Sequence, residues 1–355
     1  MASLNTTQAR AQFDSGLVIP AMPLALTPAR EFDPPGQRAV LRYYVDAGAG
    51  GLAVGVHSTQ FAVRDEPGFY ERILRFAGDN VAEWADRRNR PMVMIAGICG
   101  AREQALAEAR LARSCGYHAG LLSLAALQNS SIEQLVAHAD AVSREIPIIG
   151  FYLQPAVGGM MLPYDFWRRF AALENVWGVK IAPFDRYATL AVLRGIADSG
   201  RADAVALYTG NDDSIVSDLL TPFRFAAAEG VRSMRFSGGL LGHWGVWTSR
   251  AVEIHQRCRE LALSEAPIPA AMLTLAAEIT DMNGAVFDAA HGYAGCLPGV
   301  HEVLRRQGIF SSITCLDPDE RLSPGQDDEI TRVCRAYPHL IDDDLVQQQL
   351  AEWRS

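Results

Sequence analysis

Residues 146–182 read IPIIGFYLQPAVGGMMLPYDFWRRFAALENVWGVKIA. The stretch divides into an apolar β-type run at 146–152, a helical segment at 164–173 and a second apolar run at 176–181. A strand, a helix and a second strand in that order form one crossover unit. Working outward, the same alternation recurs, with further strand candidates at 17–26, 51–56, 92–96, 120–123, 204–209 and 233–237. Helix-type segments at 101–114, 132–143 and 187–199 lie between them. Strands of near-continuous apolar character alternating with helices indicate a parallel sheet covered on both faces. Eight of them over about 240 residues predict a (β/α)8 TIM barrel in preference to an open doubly wound sheet. No Gly-x-Gly-x-x-Gly follows the first strand, which weakens a dinucleotide-binding reading.

The unit at 248–263 completes the predicted barrel, giving a catalytic unit over residues 1–263. Beyond Pro267 the pattern changes. Segments 270–281, 299–307, 327–336 and 344–353 read as helices without intervening strands, so residues 264–355 are expected to form a C-terminal helical appendage. The 316–326 stretch, with two prolines and several acidic groups, reads as a surface loop. A chain of 355 residues that is 49% hydrophobic and 21% charged has the composition of a globular protein. Its net charge of -9 argues against nucleic acid or an anionic membrane surface as partner. No signal-peptide pattern and no apolar run of membrane-spanning length is found. Six cysteines (Cys99, Cys115, Cys258, Cys296, Cys315, Cys334), far apart and without Cys-x-x-Cys spacing, read as reduced cytoplasmic thiols. With scattered histidines and no metal-ligand motif, no metal and no cofactor is expected; Asp212-Asp213 lacks accompanying His spacing.

Lys180 is the only lysine, the rest of the 32 Lys+Arg being arginine. Arginine keeps its proton in a protein, whereas a desolvated lysine loses it and becomes the amine of Schiff-base chemistry. In a barrel the chemistry gathers at the C-terminal ends of the strands. There the sequence places His57-Ser58-Thr59-Gln60, Tyr152, Lys180, Thr209-Gly210-Asn211-Asp212 and Ser237-Gly238-Gly239. Tyr152 and Lys180, from neighbouring strands, are expected to face one mouth: an amine to attack a ketone and a phenol to pass protons.

At these residues the chain resembles the dihydrodipicolinate synthase / N-acetylneuraminate lyase family of class I, Schiff-base-forming lyases and aldolases. Tyr152-Leu153-Gln154-Pro155 is similar to its Tyr-Asn-x-Pro motif. Asn175-Val176-Trp177-Gly178-Val179-Lys180 is similar to its Asn-Val-x-Gly-x-Lys motif. Gly55-Val56-His57-Ser58-Thr59-Gln60 stands in the place of its Gly-Gly-Thr-Thr-Gly-Glu loop. The resemblance implies that Lys180 attacks C2 of a 2-oxo acid such as pyruvate, that Tyr152 relays protons, and that the Ser58-Thr59 loop holds the carboxylate. It also implies a homotetramer or dimer. His57, Gly210, Ser237 and Gly238 complete the expected substrate-binding set.

The departures narrow the substrate. His57 replaces the first threonine of the family's pair, Ala125-Ala126-Leu127 stands where a relay tyrosine is usual, and Ile181 follows the lysine in place of aspartate. Val157 takes the position of the arginine that clamps a second carboxylate, so authentic dihydrodipicolinate synthase activity is not expected. Carbon–carbon cleavage or condensation leads. A 2-keto-3-deoxy sugar-acid dehydratase using the same imine, or a barrel that only binds an oxo acid, are the alternatives. The polar cluster of Asp288, His291 and Tyr293 in the appendage reads as a subunit contact, and His243 and Trp244 as pocket-lining or packing residues.

Overall fold

A computed structural model describes residues 4–227, 230–264 and 266–355. Strands β1 (Val18–Pro20), β2 (Gly51–Val54), β3 (Val93–Ile98), β4 (Ala119–Leu122), β5 (Ile148–Leu153), β6 (Val176–Ala182) and β7 (Ala206–Thr209) run parallel. An antiparallel hairpin, β8 (Phe223–Ala227) and β9 (Gly230–Met234), then precedes β10 (Gly238–Leu241). The sheet order is β1-β10-β7-β6-β5-β4-β3-β2, and a parallel bridge between Ala21 and Ala53 brings the two edges together. This is the (β/α)8 TIM barrel expected.

One strand differs. The eighth barrel strand is Gly238–Leu241, not 233–237, and Ser233 belongs to the hairpin, paired with Arg224. Gly238 and Gly239 carry no side chain to signal a strand, but the space demands them. A Cβ on Gly238 would lie 2.3 Å from the Leu17 carbonyl oxygen.

Helix α1 (Thr6–Ser15) precedes β1. Helices α2 (Pro34–Ala47), α3 (Phe69–Arg88), α4 (Arg102–Ser114), α5 (Ile132–Ser143), α6 (Tyr164–Ala171), α7 (Arg186–Ala197), α8 (Ile215–Leu220) and α9 (Thr248–Leu263) surround the barrel. Their boundaries follow local chemistry. Asp33 caps α2 through the Gly36 N–H, prolines occupy its first positions, and Gly48 ends it at φ 90°. Ser131 and Gln134 form a reciprocal capping box on α5.

The strands separate two apolar layers. Ile95, Leu121, Ile149 and Phe151 pack inside the barrel, while Ile148, Tyr152, Val179 and Ile181 pack outward with the helices. Helix α1 closes the N-terminal end. The Phe13 ring stacks on Tyr208 at 4.3 Å and 16° and meets Trp177 at 5.9 Å. The Tyr208 hydroxyl donates to the Phe13 carbonyl at 2.6 Å and accepts from the Leu17 N–H at 3.1 Å.

The C-terminal helices are α10 (Ala271–Val286), α11 (Cys296–Arg306), α12 (Gln326–Ala336) and α13 (Asp343–Arg354). They dock on the barrel through specific anchors. Trp353 is fully buried and donates to Asp46 at 2.8 Å, and the Tyr43 hydroxyl donates to Asp342 at 2.8 Å. Gln60 accepts from the Leu316 N–H at 2.6 Å, tying the loop after β2 to the C-terminal segment.

Candidate active site

The β5–β6 register decides which side chains meet. Phe151 pairs with Lys180 and Tyr152 with Ile181, and side chains alternate between the two faces of a strand. Lys180 therefore shares the inner face with Phe151, its Nζ 4.5 Å from the ring centre. Tyr152 lies on the other face against Trp167, ring centres 5.5 Å apart, and its hydroxyl accepts from the Leu162 N–H at 3.4 Å. The expectation that Tyr152 and Lys180 face each other is corrected: the motif is present, but one residue of strand parity turns the phenol outward.

Lys180 lines a cavity at the C-terminal mouth, with His57, Ser58, Phe151, Asp212 and Tyr293 among its neighbours there. The space open to water-sized contents is about 60 Å³, enough for a small ligand beside the amine. Burial pushes the Lys180 ammonium well below the ordinary lysine value, while the negative charge of Asp212 opposes that fall. Burial raises the Asp212 carboxyl far above the usual range, although the His243 N–H donates to its Oδ1 at 2.9 Å and the Lys180 charge favours the anion. An amine that readily sheds its proton thus stands near a carboxyl that readily holds one. His57 is lowered to about 4, first by burial and then by the Lys180 charge, so its imidazole is neutral at neutral pH.

Two loops hold these groups. Asn211 accepts from the Phe184 N–H at 3.1 Å and donates to Thr189 at 3.2 Å and Asp218 at 3.0 Å, joining the loops after β6 and β7. Asp218, fully buried, also accepts from Thr209 at 2.7 Å and Arg186 at 2.5 Å. Gly210 lines the cavity as expected, and its lack of a side chain makes room for the lysine. A Cβ there would fall 2.7 Å from Lys180 Cε and 2.7 Å from Ala182 Cβ. Gly210→Ala is therefore expected to displace the amine and slow its reaction with a keto acid by about 10²-fold, the scale of a 1 Å misplacement. Stopped-time trapping of the adduct measures this, with circular dichroism to verify the fold.

Not every expected residue reaches the cavity. The Thr59 hydroxyl is committed to structure, donating to the Met22 carbonyl at 2.7 Å and accepting from the Gly55 N–H at 3.0 Å. Ser237 and Gly238 sit at the start of β10, the N-terminal end, because the barrel strand begins later than its sequence suggests. At the mouth that strand offers Gly242 instead. Asp212 was legible only as part of a turn, not as a charge partner. Tyr293 comes from the segment between α10 and α11, read from sequence as a subunit contact, and instead lines the cavity.

A second compartment of about 350 Å³ adjoins the first and shares His57, Val157, Tyr293 and Cys296 with it. Asp317, Asp319 and Glu320 rim it. Burial and the neighbouring Asp317 raise the Glu320 carboxyl.

No protein-family model matches the sequence, and no curated protein matches it. Solved structures do match the fold. An N-acetylneuraminate lyase from Fusobacterium nucleatum, complexed with pyruvate, superposes with a TM-score of 0.70 at 16% identity, covering 93% of this chain and 99% of that one. A dihydrodipicolinate synthase from Oceanobacillus iheyensis gives 0.70 at 15% identity, covering 93% and 99%. The dihydrodipicolinate synthase from Acinetobacter baumannii complexed with pyruvate gives 0.71 at 16%, covering 90% and 98%. The resemblance drawn from the lysine and tyrosine motifs is thus matched by architecture over nearly the whole length. In fold, this chain stands with the dihydrodipicolinate synthases and N-acetylneuraminate lyases.

Proposed function

We propose that the protein is a class I, Schiff-base-forming lyase acting on a 2-oxo acid of pyruvate type, with Lys180 as the nucleophile. One observation carries this reading: the chain's only lysine points into a small cavity at the barrel mouth, where burial favours its free amine. The solved neighbours holding pyruvate on the same architecture support it.

Free Lys180 attacks C2 of the oxo acid, giving a carbinolamine that loses water to a protonated imine. That imine is an electron sink, so a bond at C3 breaks or forms as an enamine. The Ser58 hydroxyl is suited to hold the substrate carboxylate, and Asp212 stabilises the cationic nitrogen and exchanges its proton. The inner compartment has room for a small ligand such as the oxo acid. The outer one accommodates an aldehyde partner, which favours carbon–carbon cleavage or condensation.

Val157 and the rim of Asp317, Asp319 and Glu320 bear on the partner. With valine at the arginine position of the resembled motif, and with acidic groups beyond, a second carboxylate meets like charge and finds no arginine among the described residues lining the two compartments. The substrate's distal end is accordingly neutral or cationic, not the anionic end used by a dihydrodipicolinate synthase.

The barrel through residue 263 carries the nucleophile, and the helical region from 264 closes over its mouth. Six free thiols support a reducing, cytoplasmic setting. Exposed Leu263, Ile268 and Leu273, close together in the chain, support self-association, which light scattering on the purified protein measures. The deciding experiment is borohydride reduction in the presence of pyruvate followed by peptide mass spectrometry. The expected result is a reduced pyruvate adduct on Lys180; an unmodified Lys180 rejects the proposal.

A further inference from the structure

The cavity around Lys180 has an inner carboxyl, Asp212, but its outer wall is made by a phenol. Tyr293 lines both compartments and so stands at the boundary between them. Resting on the Schiff-base reading above, we infer that Tyr293, contributed by the segment between α10 and α11, protonates the departing carbinolamine hydroxyl and takes the proton from C3, while Asp212 serves the nitrogen.

Several observations converge on that residue. Tyr152, the phenol of the matching motif, lies behind the sheet, and Phe151 takes the position facing the amine. His57 is a neutral imidazole at neutral pH, whose remaining N–H is a far weaker acid than an imidazolium. The Cys296 thiol, also lining the cavity, is held protonated by burial. Tyr293 is also held with care. It sits at φ 71° and meets Phe184, itself at φ 51°, edge to face at 5.7 Å; both are left-handed conformations that non-glycine residues seldom adopt. Buried Asp288 fixes the segment, its carboxylate accepting from the Gly295 N–H at 3.0 Å, from the Ser323 hydroxyl and from His291 at 2.6 Å. The Tyr293 N–H donates to the Asp288 carbonyl at 3.0 Å. The phenol keeps its proton because burial and the charges of Asp213 and Asp212 outweigh a hydrogen bond with Gln154.

The step balances. As the carbinolamine C–O bond breaks, the nitrogen lone pair forms C=N and the phenol gives its proton to the departing hydroxyl, releasing water and leaving phenolate. The phenolate then takes a proton from C3 of the protonated imine, the C–H pair becomes the C2=C3 double bond as the C=N π pair returns to nitrogen, and the neutral phenol is restored. No oxidant or further reactant enters.

Pyruvate in D2O reads this step without knowledge of the natural partner, because enamine formation exchanges the methyl protons, seen by proton NMR. For Tyr293→Phe, which keeps the ring against Phe184, the expected result is a Lys180 adduct trapped at equilibrium to the wild-type extent. Methyl exchange should be slower by about 10²-fold, the scale of a lost general acid–base group, at an unchanged melting temperature. Trapping with exchange within threefold of wild type overturns the assignment of Tyr293 and leaves the imine reading standing. Absence of trapping in the wild-type protein overturns both. Loss of trapping in the variant alone shows Tyr293 to be a positioning residue and also rejects the inference.

Discussion

Lys180→Met is expected to abolish the borohydride-trapped pyruvate adduct and to lower methyl exchange by on the order of 10⁴-fold or more, since removal of a covalent nucleophile leaves only binding and polar effects. The readout is unusually clean. No other lysine exists in the chain, so an adduct on an internal peptide has no other primary amine to occupy. Methionine keeps the volume and the apolar stem, and it removes a charge that burial disfavours. The same charge favours the buried Asp212 anion, so the melting temperature should hold where Asp212 is protonated and fall as pH rises and that carboxyl must ionise. An adduct that persists in this variant would refute the assigned nucleophile, and a melting temperature lowered where Asp212 is protonated would mean that the ammonium itself contributes to the fold.

Asp212→Asn is expected to slow methyl exchange by about 10²- to 10³-fold, in the range of lost acid–base and electrostatic assistance. Its signature is a pH shift. In the wild-type protein the rate of imine formation rises with pH as the ammonium loses its proton, with a midpoint below the ordinary lysine value of 10.5 because burial favours the free amine. The Asp212 charge works in the opposite sense, holding that proton on. Removing the charge must move the midpoint further down, so the variant forms the imine at lower pH yet processes it more slowly. Initial trapping rates across pH measure the midpoint. An unshifted midpoint would separate Asp212 from the amine, and an upward shift would contradict the electrostatics.

Much of the barrel is legible in sequence because each unit carries its own signal: an apolar run, a turn, an amphipathic helix. The eighth strand escaped because its signal is negative. Gly238 and Gly239 have little strand propensity, whereas 233–237, with Met234 and Phe236, mimics a buried strand although Ser233 and Met234 form the edge of a hairpin. Lys180 was legible for two independent reasons, its uniqueness and its position closing an apolar run. The Tyr152 motif was equally visible, but a motif fixes a position along a strand and not the face on which it emerges. Register with β6 sets that face, and register is a property of the pair. The roles of Asp212 and Tyr293 were hidden for other reasons. Asp212 was placed at the mouth by its strand, but its pairing with the amine depends on the depth of burial; Tyr293 lies on a segment 113 residues downstream of Lys180 (293 minus 180), and no local pattern encodes that approach. The one available sign was a polar cluster of Asp288, His291 and Tyr293, too small to point anywhere by itself.

The stacked rings of Phe13 and Tyr208 make the barrel a vessel with a stopper. The compartment rimmed by Asp317, Asp319 and Glu320 lies directly against the space beside the amine and shares its wall. A keto acid already lodged at the bottom obstructs nothing for a later arrival, but an aldehyde seated above would bar the acid's passage. On the proposed Schiff-base reading, a two-substrate condensation is expected to bind the acid first and to be inhibited by high aldehyde, which initial rates at varied concentrations of both measure.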